Sequence, residues 1–247
     1  MDAKCYVTTS WDDGNPADFR VAELLHKYGI SGTFYIPQAS EYSTMSAMDV
    51  RTLSSNFEIG AHTLNHIILT ASDASLASHE IRKSKEWLED LLGTECPMFC
   101  FPQGKYRQEH VAMVKDAGYR GARTVEMMAT RVDMVRDDLV ILPTTVQAFE
   151  HNRSPIIRNV VKRRSIEGIW TYVRSGAPLD WPQLSRSLFD RASHASNGVF
   201  HLWGHSWELE QHSQWNRLET VLAFLAGHND RTEVLTNGDL CRRLQST

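Results

Sequence analysis

Thr9-Ser10-Trp11-Asp12-Asp13-Gly14 follows Cys5-Tyr6-Val7-Thr8, a short run of strand formers. The paired aspartates therefore fall where a strand over Cys5 to Thr9 gives way to a loop. Neighbouring side chains on a strand point to opposite faces, whereas a loop can turn both inward. Further along, a second strand-like run, Phe57-Glu-Ile-Gly-Ala61, ends at His62-Thr63-Leu64-Asn65-His66. Two imidazoles four residues apart can converge on one point, from a helical turn or a folded loop. With one carboxylate they make a facial set for a zinc-type ion that leaves room for water and substrate. The other aspartate stays free as a base. Asp-Asp-Gly alone is common turn chemistry, and a lone histidine pair is a common surface feature. Their position at comparable strand ends makes them readable as one hydrolytic site. The His-Glu-x-x-His helix of zinc peptidases is not written here.

The chain around this stretch alternates strand and helix. A helix is expected over Phe19 to Tyr28, stopped by Gly29, then a strand from Ile30 to Ile36. Ser46 and Asp49 suit a capped helix to Ser54. Thr70 to Leu92 holds the longest helical pattern. A strand over Met98 to Phe101, a helix over His110 to Ala117 and a strand near Tyr119 to Arg123 follow. Leu139 to Leu142 reads as a strand and Ile156 to Ser175 as a helix with a basic face. Trp181 to Ser193 and Gln214 to Leu225 read as helices around a strand at Gly198 to Trp203. Thr232 to Leu235 and Gly238 to Leu244 close the chain as strand and helix. No glycine-rich dinucleotide fingerprint follows the first strand. One α/β domain over residues 1–247, a closed or nearly closed β/α barrel, fits best. Its active residues belong on loops after the strands.

Composition narrows the function. Of 247 residues, 42% are hydrophobic and 23% charged, as in ordinary soluble domains. A formal net charge of -4 gives no bulk attraction for nucleic acid or anionic lipid. The basic run Lys162-Arg163-Arg164 reads as a solvated face. No stretch reaches the ~20 apolar residues of a membrane-spanning helix. The first residues enter the first strand directly, without the pattern of an export signal. The scattered cysteines, Cys5, Cys96, Cys100 and Cys241, read as free thiols, and a cytoplasmic location is expected.

A metal role for Asp13 leaves Asp12 to take a proton from water acidified by the ion. His201, Trp203 and His205 alternate, so an extended chain presents all three to one side. His205 or its rival His201 can act as general acid. Glu208 orients one of these rings or is a surface carboxylate. Trp203 suits the wall of a small acyl pocket. Trp181 and Trp207 suit a substrate wall, whereas Trp87 and Trp215 suit the core.

Taken together these motifs resemble the polysaccharide deacetylase family, whose catalytic domain is the NodB homology domain of carbohydrate esterase family 4. Its Thr-Phe-Asp-Asp-Gly motif is matched by Thr9 to Gly14 with one extra residue before the aromatic. The resemblance puts the base on Asp12 and the metal aspartate on Asp13. His62-Thr63-Leu64-Asn65-His66 matches the histidine motif in full. Phe101-Pro102-Gln103-Gly104-Lys105-Tyr106 resembles a variant of the third motif. It lacks the arginine that usually braces the base, a place Arg123 can fill. Asp180-Trp181 corresponds loosely to the fourth motif, which supports the acid and shapes the pocket. Trp203-Gly204-His205 resembles the Leu-x-His motif.

The resemblance implies a distorted (β/α)7-type barrel with the NodB homology fold. It implies one divalent ion, zinc being the first choice, held by Asp13, His62 and His66. The implied reaction is hydrolysis of an acetamide, usually on N-acetylglucosamine units. Asp12 serves as base, His205 as acid, and a main-chain N–H near Tyr106 as oxyanion donor. An acetylated sugar or small amide is the expected partner, and a biosynthetic intermediate is favoured over a wall polymer. The same site would serve an O-acetyl esterase or a cyclic amide or ureido hydrolase. An inactive sugar-binding protein is the reading from a different class. Specificity is expected from residues 124–178.

Overall fold

The computed structural model describes residues 5–132, 135–136, 139–150 and 180–246. The helix expected over 156–175 and its basic run lie outside the described residues. β1 (Cys5–Asp12) runs on to Asp12 rather than ending at Thr9. It is held on both sides. It pairs with β9 (Val199–Gly204) along Tyr6 to Trp11, and with β2 (Thr33–Ile36) along Ser10 to Asp12. Two ladders keep Ser10 and Trp11 extended, and the β2 ladder alone carries Asp12, where local propensity would let them turn.

Outward from β2 lie β3 (Glu58–Ala61), β4 (Met98–Cys100), β5 (Gly121–Arg123) and β7 (Leu139–Leu142). With β1 and β9 they form seven parallel strands in the order β7-β5-β4-β3-β2-β1-β9. The two-residue strands β6 (Val135–Arg136) and β8 (Val146–Gln147) border this run, and β10 (Thr232–Val234) pairs with the first half of β1. Two residues carry no readable period, so β6 and β8 are not legible in sequence. The sheet curls. The chain leaves β7 at Leu142, and the Thr145 N–H already donates to the His201 carbonyl at 2.9 Å. Residues 143–145 thus bridge from the last strand of one flank to β9 on the other. The expected distorted (β/α)7-type barrel is borne out.

The helices cover the outside: α1 (Asp18–Lys27), α2 (Ala47–Ser54), α3 (Ala74–Leu92), α4 (Gln108–Asp116), α5 (Trp181–Ser193), α6 (Ser206–Gln211) and α7 (Trp215–Ala226). Ser46 and Asp49 form the capping box at the start of α2, and Asp73 caps α3. Strand periodicity sorts the side chains. Val7, Trp11, Phe34, Ile36, Phe99, Phe101, Phe200 and Leu202 join the outer core against the helices. Tyr35, Met98, Cys100, Val140, Leu142 and Val199 fill the interior. Gly60 has no side chain because the Tyr35 ring occupies that space; a Cβ there would lie 2.5 Å from it.

α8 (Asn237–Gln245) plugs the interior at the N-terminal ends of the strands, with Leu240 and Cys241 packed in the inner cluster. Alternation along β1 sends Ser10 and Asp12 inward towards the opposite, C-terminal end. There the strand exits converge.

Candidate metal and hydrolytic site

Asp12 is the last residue of β1 and points inward by strand alternation. Asp13 follows with φ 77, in the left-handed region, and Gly14 with φ 59 completes the turn. This reversal brings the second carboxylate to the same mouth. His62 follows β3 directly. The His62–His66 segment is a folded loop, with Thr63 and His66 at positive φ. Glu80 of α3 pins it, accepting from the Asn65 main-chain N–H at 2.8 Å and its side-chain amide at 2.6 Å.

Asp13 Oδ1 lies 3.6 Å from His62 Nε2 and 3.2 Å from His66 Nε2. Donors around one tetrahedral ion at ~2.0–2.1 Å stand about 3.4 Å apart. A direct hydrogen bond at 3.6 Å would be too long. The His62 Nδ1–H donates to the Cys100 carbonyl at 2.9 Å. In the neutral ring that leaves the Nε2 lone pair facing a carboxylate, an arrangement that a cation between them satisfies. Asp13 Oδ2 is held aside by the Trp207 indole N–H at 2.9 Å. Burial works against charge on Asp13, but His62, His66 and His205 hold its carboxyl well below the usual carboxylate range. Asp13, His62 and His66 therefore form a candidate metal set.

Asp12, His62 and Cys100 form a second group with ligand atoms within 4.8 Å of one another. It suits an ion less well. Asp12 Oδ1 is ion-paired with the fully buried Arg123, and burial pushes the Cys100 thiol well above its ordinary range. Arg123 reaches Asp12 from β5, whose Cα partner on β4 is Cys100. Its guanidinium also faces the Trp203 ring at 4.8 Å and the Tyr35 ring at 5.3 Å. Among the described residues Asp12 Oδ2 keeps only the weak Cys100 thiol contact, at 3.9 Å.

His205 caps α6 just past β9. Its Nδ1 lies 2.7 Å from Glu208 Oε2, which also accepts from Gln147 Nε2 at 3.0 Å. Its Nε2 is 3.8 Å from Asp13 Oδ2. Burial opposes charge on this ring, but Glu208 and the Asp12 and Asp13 carboxylates outweigh it and raise the pKa to about 9. His201 is the contrary case. Its Nδ1–H donates to the Pro143 carbonyl at 3.0 Å, so its Nε2 accepts from the Ser10 hydroxyl at 2.9 Å. Burial and the nearby Arg123 push its pKa down to about 3. Both nitrogens of the buried His201 ring are thus committed within the fold, whereas His205 Nε2 faces Asp13 at the mouth.

Two further expectations are corrected. Asp180 does not meet His205. It caps α5 through the Gln183 N–H and pairs with Arg217 at 3.0 Å. Trp181 is 3% exposed, with its indole N–H on Gln214, so it is core rather than substrate wall. Trp203 lies at the site, edge-on to His205 with ring centroids 5.5 Å apart, and its indole nitrogen has no partner among the described residues. Tyr106 stacks on Phe101 beside the exit of β4. Sequence reasoning missed Gln147 and Tyr42. Tyr42 stacks on Trp207 at 6.0 Å and lies edge-on to His66 at 6.3 Å. Its one signal was a lone aromatic in the loop between β2 and α2.

Comparison with known proteins bears on the fold and on the family resemblance. The polysaccharide deacetylase family model matches residues 2–122. Putative polysaccharide deacetylase YxkH of Bacillus subtilis is 23% identical over 134 residues, covering 53% of this chain and 48% of that protein. The chain spans about half the length of the curated relatives it matches. A putative polysaccharide deacetylase structure from Mycobacterium smegmatis superposes with a TM-score of 0.71 at 14% identity, covering 100% of this chain and 92% of that one. The structure of PuuE allantoinase gives 0.70 at 11% identity, covering 99% and 91%. These structural likenesses are of fold. The resemblance to the polysaccharide deacetylases is borne out.

Proposed function

We propose that this relative of the polysaccharide deacetylases is a metal-dependent N-deacetylase, one catalytic domain over residues 1–247 that converts an acetamido sugar and water to an amino sugar and acetate. The observation that carries the reading is the His62 ring. Its proton is committed to the Cys100 carbonyl, and its other nitrogen faces Asp13 at 3.6 Å. Asp13, His62 and His66 would hold one divalent ion, zinc by ligand type. When bound, that ion polarises the acetamide carbonyl and acidifies the attacking water.

Asp12 takes the water's proton. Arg123 anchors Oδ1, so Oδ2 is the oxygen left to receive it. The main chain at Tyr106 offers the oxyanion donor. His205 gives a proton to the departing amine nitrogen. Glu208 keeps its ring oriented and charged, and Gln147 fixes Glu208. Trp203 and Trp207 wall the acyl and sugar sides. Protonated His205 also favours an amide over an O-acetyl ester. An amine must be protonated to leave, whereas an ester alkoxide needs less help. A cyclic amide, suggested by the allantoinase-like fold, would use the same groups. Four buried thiols suit a reducing, cytoplasmic setting. Among the described residues no helix is long and apolar enough to cross a membrane.

The test is a pair of variants assayed for bound metal and for acetate release. Asp13→Ala should lose both. Asp12→Asn should keep the metal and lose hydrolysis. Near-normal turnover by Asp12→Asn would remove the assigned base.

A further inference from the structure

We infer that Glu80 is a positioning residue of the metal set: through Asn65 it fixes the loop that aims His66, and so sets how tightly Asp13, His62 and His66 hold their ion. This rests on the metal-dependent reading and extends it to a residue of α3 outside the three ligands. α3 buries one stripe, Ala77, Glu80, Ile81, Ser84 and Leu88, at the spacing of a helix face. A glutamate in such a stripe is out of place unless it is committed to partners. Glu80 is 2% exposed, and both its oxygens go to one residue. Oε2 accepts from the Asn65 main-chain N–H at 2.8 Å and Oε1 from its side-chain amide at 2.6 Å. The fork accepts two N–H bonds and donates none, as an ionised carboxylate does. Both donors are neutral, so a cation held by the same loop meets an uncancelled negative charge at its back.

The loop needs such a clamp. Thr63 at φ 58 and His66 at φ 54 both lie in the left-handed region, where a β-branched residue such as Thr63 is an outlier. Backbone held this way persists only where its surroundings impose it. The Thr63 hydroxyl accepts from the Ile67 N–H at 3.1 Å, and the Leu64 carbonyl accepts from the Ala39 N–H at 3.1 Å. Glu80 takes Asn65, the residue directly before His66. The two imidazoles also differ in what orients them. His62 has its own ring bond, from Nδ1–H to the Cys100 carbonyl. Among the described residues the His66 ring contacts Asp13, His62 and Tyr42. Its direction therefore comes from the backbone of the loop, which Glu80 holds one residue away. Outer partners that orient a ligand change metal affinity without touching the ion.

The test is zinc affinity, measured by competition with a chromophoric chelator, with thermal unfolding of the metal-free proteins alongside. Glu80→Gln should weaken zinc binding by about 10–100-fold. Asn65→Ala leaves the main-chain bond and should weaken it less. The double variant should lose less than the product of the two, because both remove one clamp. Glu58→Gln, which alters a buried carboxylate at the opposite end of the barrel, should leave zinc affinity unchanged. Parent-like affinity in Glu80→Gln, an equal loss in Glu58→Gln, or losses that simply multiply would overturn the assignment. Asn65 is exposed, so Asn65→Ala keeps the fold. Should Glu80→Gln fail to fold, unchanged affinity in Asn65→Ala would overturn it alone. Asp13→Ala separates the two readings. If it abolishes zinc binding while Glu80→Gln binds as the parent does, the metal set stands without Glu80. If Asp13→Ala itself binds zinc normally, the metal set falls and the role of Glu80 falls with it.

Discussion

The two ends of the barrel both bury polar side chains and treat them oppositely. At the N-terminal end Glu58 accepts from Thr33 Oγ1, Thr236 Oγ1 and the Gly238 N–H, while Asn237 bonds to Thr8, Thr33 and Tyr35. Burial raises the Glu58 pKa against these donors, yet the network around it closes. At the C-terminal end Asp12, Asp13, Arg123, His62 and His205 crowd together. Arg123 Nε and the Trp203 indole nitrogen have no partner among the described residues. Satisfied buried networks rigidify a fold, and unsatisfied ones mark a place held ready for a ligand. One end therefore keeps the barrel shut, and the other leaves buried polar groups unpaired at its mouth.

That contrast can be broken by moving damage from end to end. The largest expected effect is at the upper end. Asp12→Asn should slow acetate release by ~10²–10⁴-fold while thermal stability changes little. Parallel turnover and melting curves check it. A large drop in melting temperature without the rate loss would make Asp12 structural. Arg123→Met is next. It leaves the Asp12 charge buried alone, which costs about 3–5 kcal/mol. Adding Asp12→Asn should recover much of that cost, and denaturant unfolding of the single and double variants tests the coupling. Additive losses would mean that the pair does not interact as described.

At the lower end Glu58→Ala strands the Thr33 hydroxyl and the Gly238 N–H and should cost roughly 1–3 kcal/mol, while turnover per folded molecule stays within about twofold. A selective loss of turnover would erase the distinction between the ends. The smallest effect sharpens the comparison by pH. His201 has a pKa near 3 when folded and about 6.5 when unfolded. Its neutral form therefore contributes stability that is complete above about 6.5 and is lost as pH falls towards 3. The loss is ~2 kcal/mol at pH 5. His201→Asn should flatten that part of the stability curve, and an unchanged slope between pH 7 and 5 would contradict the buried neutral ring.

What the sequence disclosed follows from how far each interaction reaches. The capping box of Ser46 and Asp49 spans three residues and is legible as written. So is the strand-then-loop placement of Asp13 and His62, whereas Asp12, expected on the loop, is the last residue of β1 because neighbouring strands hold it. Asp180 shows the reverse hazard. Its short-range role as the cap of α5 went unread, and a loose motif match drew it towards the pocket. The Arg123–Asp12 pair depends on strand order and on the Cys100–Arg123 register, and neither is written locally. The resemblance marked an arginine missing from the exit of β4, and the neighbouring strand supplies one. α6 escaped notice because six residues carry too little periodicity. Its position nevertheless decides that Glu208, rather than a residue on α5, supports His205.

The central claim is that Asp13, His62 and His66 hold an ion that deacetylation requires. Acetate release from a panel of N-acetyl sugars and an O-acetyl ester, with ring opening of a cyclic amide followed alongside, before and after chelation, tests it most directly. The account predicts release from an acetamido sugar that disappears on stripping and returns with one equivalent of zinc. Release that ignores the chelator, or no acetate from any acetamide by protein carrying one zinc, would contradict it.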